Sequence, residues 1–265
     1  MKKRIANISK IVLWIIILIA IGYGTWHLKG VHDRSLYSGL DITIYDEGLE
    51  SLTDTTAIRH IVEHTSDSLH EIQLKEIPLR KIEQALRAEP VIEEVDVYTN
   101  LNGRIKVKVK TYKPLVRIFT GKGKSFYIDR SGFMLPTVTG HSAHVIFASG
   151  HFNLAIPDSL INNNYQIKNL KRFSVLQEIF NLAAHLEANT FLRAQIDQIY
   201  LNSANEFELT PKIGDQSILL GNSDNIERKL KKLEAFYKQA MPVNGWNKYK
   251  SINLKYKNQV VCSKL

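Results

Sequence analysis

Apolar residues recur along this chain in three rhythms, and each predicts a different element. The first is a continuous run. IVLWIIILIAIGYGTWHL, from Ile11 to Leu28, holds no Asp, Glu, Lys or Arg. At 1.5 Å per residue it forms a helix of roughly 27 Å, enough for a bilayer's hydrocarbon core. Lipid offers backbone polar groups no partner, so a helix is the form the run must take. Trp14, Tyr23 and Trp26 lie towards its ends, where aromatic rings favour the interface. A cleaved signal peptide has a shorter apolar region followed by small residues. Here Thr25, Trp26 and His27 follow Gly24, so an uncleaved anchor is expected. Lys2, Lys3, Arg4 and Lys10 precede the run, while only Lys29 and Arg34 follow closely, offset in part by Asp33. The positive-inside bias makes residues 1–10 a cytoplasmic tail and 11–28 a single span, with everything after residue 30 extracytoplasmic, and periplasmic where an outer membrane exists. The same four basic residues are placed to meet anionic lipid headgroups. This topology takes ATP and NAD out of consideration.

The other rhythms, of two and of 3.6 residues, alternate beyond a linker at 29–39. LDITIYD alternates as a strand from Leu40. In DTTAIRHIVEHT, Ile58, Ile61 and Val62 follow an Asp or Thr cap at helical spacing. PLRKIEQALRAEP predicts a second helix, with Pro78 in its first turn, Leu79, Ile82 and Leu86 as its stripe and Pro90 as its stop. VIEEVDVYT and RIKVKVKTY then alternate about NLNG, where Asn102-Gly103 signals a type I′ hairpin. Residues 40–113 thus read strand, helix, helix, strand, strand.

Residues 114–265 read mainly as strands: LVRIFTG, SFYIDR, FMLPTV and HVIFASG, then QIDQIYLN, EFELTPK and SILLG, and finally SINLKYKNQVVC. Two helices interrupt them. One covers Ile167 to Glu187; the other covers Asn225 to Gln239, with Ile226, Leu230, Leu233 and Tyr237 inward and Lys231, Lys232 and Lys238 outward. Asp224 and Glu227 stand at capping-box spacing. PDSLINNNYQ is the clearest loop. The fold class is α/β in the α+β sense, an anchor followed by a strand-helix-helix-strand-strand unit and a mainly antiparallel β domain.

Composition changes this picture little. The net charge of +9 over 265 residues admits nucleic acid or acidic partners. The lysines alternate through runs such as RIKVKVKTYK, however, as on a solvated sheet face, so no nucleic acid is expected. A single cysteine, Cys262, excludes an intrachain disulfide.

Three strings invite a chemical reading. YIDRSGFMLP, from Tyr127 to Pro136, sets Asp129, Arg130 and Ser131 side by side. A serine nucleophile needs a base and oxyanion donors, and no G-x-S-x-G elbow surrounds this one. Asp-Arg-Ser-Gly instead has the composition of a four-residue turn between strands. HIVEH, from His60 to His64, fits H-x-x-E-H and puts both imidazoles on one helix face. No third ligand is signalled, and the string reads as the solvated flank of an amphipathic helix. His141, His144 and His151 lack acidic partners nearby in sequence. No catalytic, metal or cofactor residue is expected. The rival is an anchored zinc hydrolase built on these histidines.

The last ribbon is read as one strand. Ile252, Leu254, Tyr256, Val260 and Cys262 fall on one face; Asn253, Lys255, Lys257, Gln259 and Val261 fall on the other. Such a strand at a sheet edge either accepts another chain's strand or is protected by its lysines.

The order of elements, IEQALRAEPVIEEVDVY with its L-x-x-x-P-x-I-x-x-V-x-V spacing, the YIDRSG turn and the NQVV ending together resemble the FtsQ/DivIB family of bacterial cell-division proteins. The resemblance covers nearly the whole chain. It implies a POTRA domain at 40–113, a β domain at 114–265 ending in an edge strand, no enzymatic activity, and a scaffold that links divisome partners of the FtsB/FtsL type at the septum. Carried over, it implies partner binding by Asn253, Lys255, Tyr256, Lys257 and Gln259, with Lys231 and Lys232 flanking. A POTRA-bearing secretion or envelope-assembly adaptor is the alternative.

Overall fold

The computed structural model describes residues 14–23, 36–45, 51–66, 73–100, 102–121, 123–152, 154–245 and 248–264. Residues 14–23 form helix α1, exposed throughout. The rest of the expected span, the tail with its four basic residues and most of the linker lie outside the described residues. Among the described residues no helix is long and apolar enough to cross a membrane.

The first unit is built on a three-stranded sheet. Strand β1 (Gly39–Tyr45) runs parallel to β3 (Arg104–Thr111), which has β2 (Ile92–Thr99) on its other side. Leu40 faces Ile105, Ile42 faces Val107 and Ile44 faces Val109. Period-two alternation buries Ile105, Val107 and Val109 and leaves Arg104, Lys106, Lys108 and Lys110 on the open face. Helices α2 (Thr55–Thr65) and α3 (Leu79–Arg87) contribute Ile58, Val62, Ile82 and Leu86 to the core. On the open face the Arg104 guanidinium donates to both oxygens of Asp41, at 2.9 and 2.5 Å, and Lys110 pairs with Glu94 at 3.3 Å. That is the solvated sheet face the lysine alternation implied.

The second unit is one nine-stranded sheet. Its strands in chain order are β4 (Pro114–Phe119), β5 (Ser125–Asp129), β6 (Met134–Pro136), β7 (Ile146–Gly150), β8 (Ile196–Leu201), β9 (Phe207–Pro211), β10 (Ser217–Gly221), β11 (Tyr249–Asn253) and β12 (Val261–Lys264). Their spatial order is β12-β11-β10-β9-β8-β7-β4-β5-β6. Antiparallel pairings prevail, but β4–β7, β7–β8 and β10–β11 are parallel. Parallel neighbours need crossovers. Between β7 and β8 run α4 (Asp158–Asn162), α5 (Ser174–Ala188) and α6 (Thr190–Gln195); between β10 and β11 run α7 (Ile226–Gln239) and α8 (Met241–Asn244). Their apolar faces share one core with the sheet, including Leu176, Ile179 and Leu182 of α5, Leu230, Leu233 and Tyr237 of α7, and Ile199, Leu209, Ile218 and Ile252 of the strands.

Four local expectations are corrected. The helix expected from Ile167 begins only at Ser174, after two 3₁₀ turns. Its would-be first residues are held elsewhere: Ile167 N–H donates to Gly132 O at 2.9 Å and Met134 N–H to Tyr165 O at 3.1 Å. PDSLINNNYQ is not all loop, since Asp158–Asn162 is α4. The Asp224 box does not form, because Asn225 precedes α7 in the left-handed region (φ 53°) and Asp224 instead accepts from Asn222 Nδ2 at 2.6 Å. Lastly, the C-terminal ribbon is not one strand but the hairpin β11–β12.

Candidate partner-binding edge

Sequence dictates where the hairpin folds. Leu254 is fully buried, and its N–H donates to Leu219 O at 2.9 Å, which prolongs the pairing of β11 with β10. Beyond it the chain turns. Asn253 Oδ1 accepts from Lys255 N–H at 3.0 Å, the local bond by which Asn competes with a continuing ladder. Lys257 and Asn258 occupy the turn proper. Chain direction then reverses, and β12 returns with Ser251 opposite Ser263, Ile252 opposite Cys262 and Asn253 opposite Val261.

The consequence for the binding expectation is plain. β11 has β10 on one side and β12 on the other, so residues 249–253 offer no free edge. The strand at the end of the sheet is β12, Val261–Lys264. Of the five expected binding residues, Asn253 is half-buried at the end of β11, while Lys255, Tyr256, Lys257 and Gln259 are exposed in the turn. They share one turn, not one strand face.

Two side chains tie the turn down. The Lys232 ammonium on α7 donates to the carbonyls of Leu254 (2.8 Å), Tyr256 (2.5 Å) and Gln259 (3.4 Å). Burial, followed by the nearby Arg228 charge, pushes its pKa down. Lys255 lies across Gly221 and pairs with both oxygens of Glu206 at 3.0 Å. Sequence reading put Lys232 among the flanking surface charges, and no sequence signal marks its carbonyl partners. Asn253 and Asn258 were a usable signal for the turn.

Beside the edge, Cys262 lies on the same sheet face as buried Ile252, and burial pushes its thiol pKa up. Phe236 and Tyr249 stack edge-on at 5.6 Å and are partly buried, as are Val260 and Cys262. On the opposite face Ser251 and Ser263 share a 2.6 Å hydrogen bond.

The other candidate strings fall as follows. Asp129 ends β5, and Ser131 lies in the turn to β6; the Asp129 carboxylate accepts from the Ser131 and Phe133 N–H groups at 3.0 and 2.6 Å. Gly132 adopts φ +82° there, as the turn requires. The string is a hairpin corner. His60 and His64 are exposed on α2 with ring centroids 4.2 Å apart. His141 Nε2 lies 3.5 Å from Asp54 Oδ2, His151 lies 3.4 Å from the Tyr200 hydroxyl, and His144 lines a cavity of about 460 Å³ with Glu187, Arg193 and Lys212. Among the described residues no three His, Cys, Asp or Glu side chains gather as a metal site.

Comparison with known proteins places both units. Residues 113–263 match the family model described as FtsQ/DivIB, C-terminal related. Residues 37–110 match that of a POTRA-like domain. No curated protein matches the chain.

Proposed function

The chain belongs to the FtsQ/DivIB family of membrane-associated, non-enzymatic division scaffolds, with a role in bacterial cell division, and we propose that it works as a membrane-anchored strand acceptor. In this reading residues 11–28 span the membrane with the N-terminus cytoplasmic, and both folded units stand outside. Lys2, Lys3, Arg4 and Lys10 rest on anionic headgroups. A division protein of the FtsB type, accompanied by one of the FtsL type, adds a strand to the outer side of β12.

The observation that carries the reading is that, among the described residues, β12 ends the sheet with one side paired. Its outward N–H and C=O groups supply a ladder, and side chains at its two faces select the occupant. Alternate residues of an added strand fall on the face of Cys262, near the partly buried rim, and on that of Ser251 and Ser263. Asn253 at the end of β11 and the turn residues Lys255, Tyr256, Lys257 and Gln259 border the end of that strand. Exposed lysines there, together with Lys250 and Lys264, steer an acidic partner and raise its association rate more than its affinity.

A photocrosslinking scan of residues 250–264 in living cells tests the reading. Adducts to a septal coiled-coil protein should peak at 261–264 and in the adjoining turn. Adducts confined to 250–253, with none at 261–264, would sink it, and adducts to a secretion pore would favour an envelope-assembly role.

A further inference from the structure

The turn between β11 and β12 is held by a side chain distant in sequence. Lys232 stands on α7 between Leu230 and Leu233, both buried in the core, so its backbone is fixed. Its ammonium reaches three main-chain oxygens. Leu254 follows the last residue of β11, Tyr256 lies in the turn, and Gln259 stands two residues before β12. A lysine ammonium has three donors and no acceptor. With one carbonyl for each N–H, it keeps none for a partner's carboxylate. Lys231, next to it, behaves oppositely: its side chain is exposed and pairs with Glu227, one helical turn back.

We propose that Lys232 is a positioning residue for the partner edge, clamping the 254–260 turn to α7 and thereby holding β12 in register on β11 without touching the partner. The clamp is read from geometry alone; its consequence for binding rests on the strand-addition reading above. A four-residue strand at a sheet end has little of its own to hold it in place. Hydrogen bonds from a charged donor are about twice as strong as neutral ones. Three of them on one turn make the edge a preformed acceptor, and preformation lowers the ordering cost that binding must overcome.

The test is hydrogen–deuterium exchange on the full chain, comparing wild type with Lys232→Met and Lys231→Met. Methionine keeps the length of the lysine stem and removes the donors. In Lys232→Met, amides of residues 255–264 should exchange about tenfold faster or more, the scale of losing charge-assisted bonds. Amides of β8, β9 and β10 should keep wild-type rates, and Lys231→Met should match wild type throughout. Unchanged exchange at 255–264 in Lys232→Met overturns the clamp, whatever the partner does. Where the methionine variant fails to fold, Lys232→Gln replaces it. Its neutral amide is one atom shorter and removes the charge, so faster exchange confined to 255–264 supports the clamp and unchanged exchange overturns it.

A second arm measures capture of the extracytoplasmic segment of an FtsB-type protein. Weakened capture by Lys232→Met, alongside faster exchange, supports the proposal. Faster exchange with undiminished capture leaves the clamp standing and overturns docking on β12.

Discussion

Asp129 Oδ1 accepts the main-chain N–H of Phe133 at 2.6 Å, closing the corner between β5 and β6. Asp129 as a residue is only 3% exposed, and burial raises the pKa of its carboxyl group to about 6 against the pull of hydrogen bonds from Phe133, Ser131 and Gly132. A carboxyl group whose folded pKa lies above its unfolded value binds its proton more tightly when folded. Its contribution to stability is therefore full below about pH 4 and is lost as pH rises to about 6. Asp129→Asn keeps the acceptor oxygen without the charge. The variant should gain on wild type between pH 4 and pH 7 by up to roughly 3 kcal/mol. Urea denaturation at both pH values checks this, and a pH-independent difference would refute the assignment.

Gly221 stands at φ +79°, and a Cβ there would lie 2.8 Å from Lys255 Cδ. Gly221→Ala should lower stability by about 1–2 kcal/mol through backbone strain. It should also push Lys255 off Glu206. Chemical denaturation measures the first effect, and partner capture as a function of salt measures the second.

Proline separates turn from edge. Tyr256 lies in the turn, so Tyr256→Pro spares the β11–β12 ladder. Successive amides of β12 point to opposite sides of the strand, so a scan at Val261, Cys262 and Ser263 places proline once or twice on an outward N–H. Such a variant should abolish capture of an FtsB-type segment while melting as wild type does, and Tyr256→Pro should do less. Equal loss from all four positions would contradict docking on β12.

Lys257 is exposed in the turn. Lys257→Glu should leave stability within about 0.5 kcal/mol of wild type. It should slow association with an acidic partner and flatten the salt dependence of the on-rate. Stopped-flow association at low and high salt reads both.

Much of the architecture was legible in the residues. Ile105, Val107 and Val109 announced a half-buried strand by alternation, and Ile226, Leu230, Leu233 and Tyr237 marked the buried face of α7. The Asp129 corner was legible because a turn is local chemistry. Long-range pairings were not. Nothing in SILLG or SINLK states that β10 and β11 run parallel, since that depends on where α7 returns the chain. Nor does Ile167 advertise that its N–H is taken by Gly132 instead of a helix. Lys232 misled for a related reason. A lysine on a helix's polar side looks solvated until a segment 22 residues away closes over it.

β12 is only four residues long, and under the strand-addition proposal that brevity governs how long a guest stays. A strand of this length presents about two outward N–H and two outward C=O groups, each bond contributing about 1 kcal/mol net. The ladder by itself thus supports only a fleeting visit. Durable residence has to come from side-chain burial, or from tethering that raises the guest's local concentration. A dock built this way would let go as readily as it takes hold, as a division machine assembled and dismantled once in every generation requires.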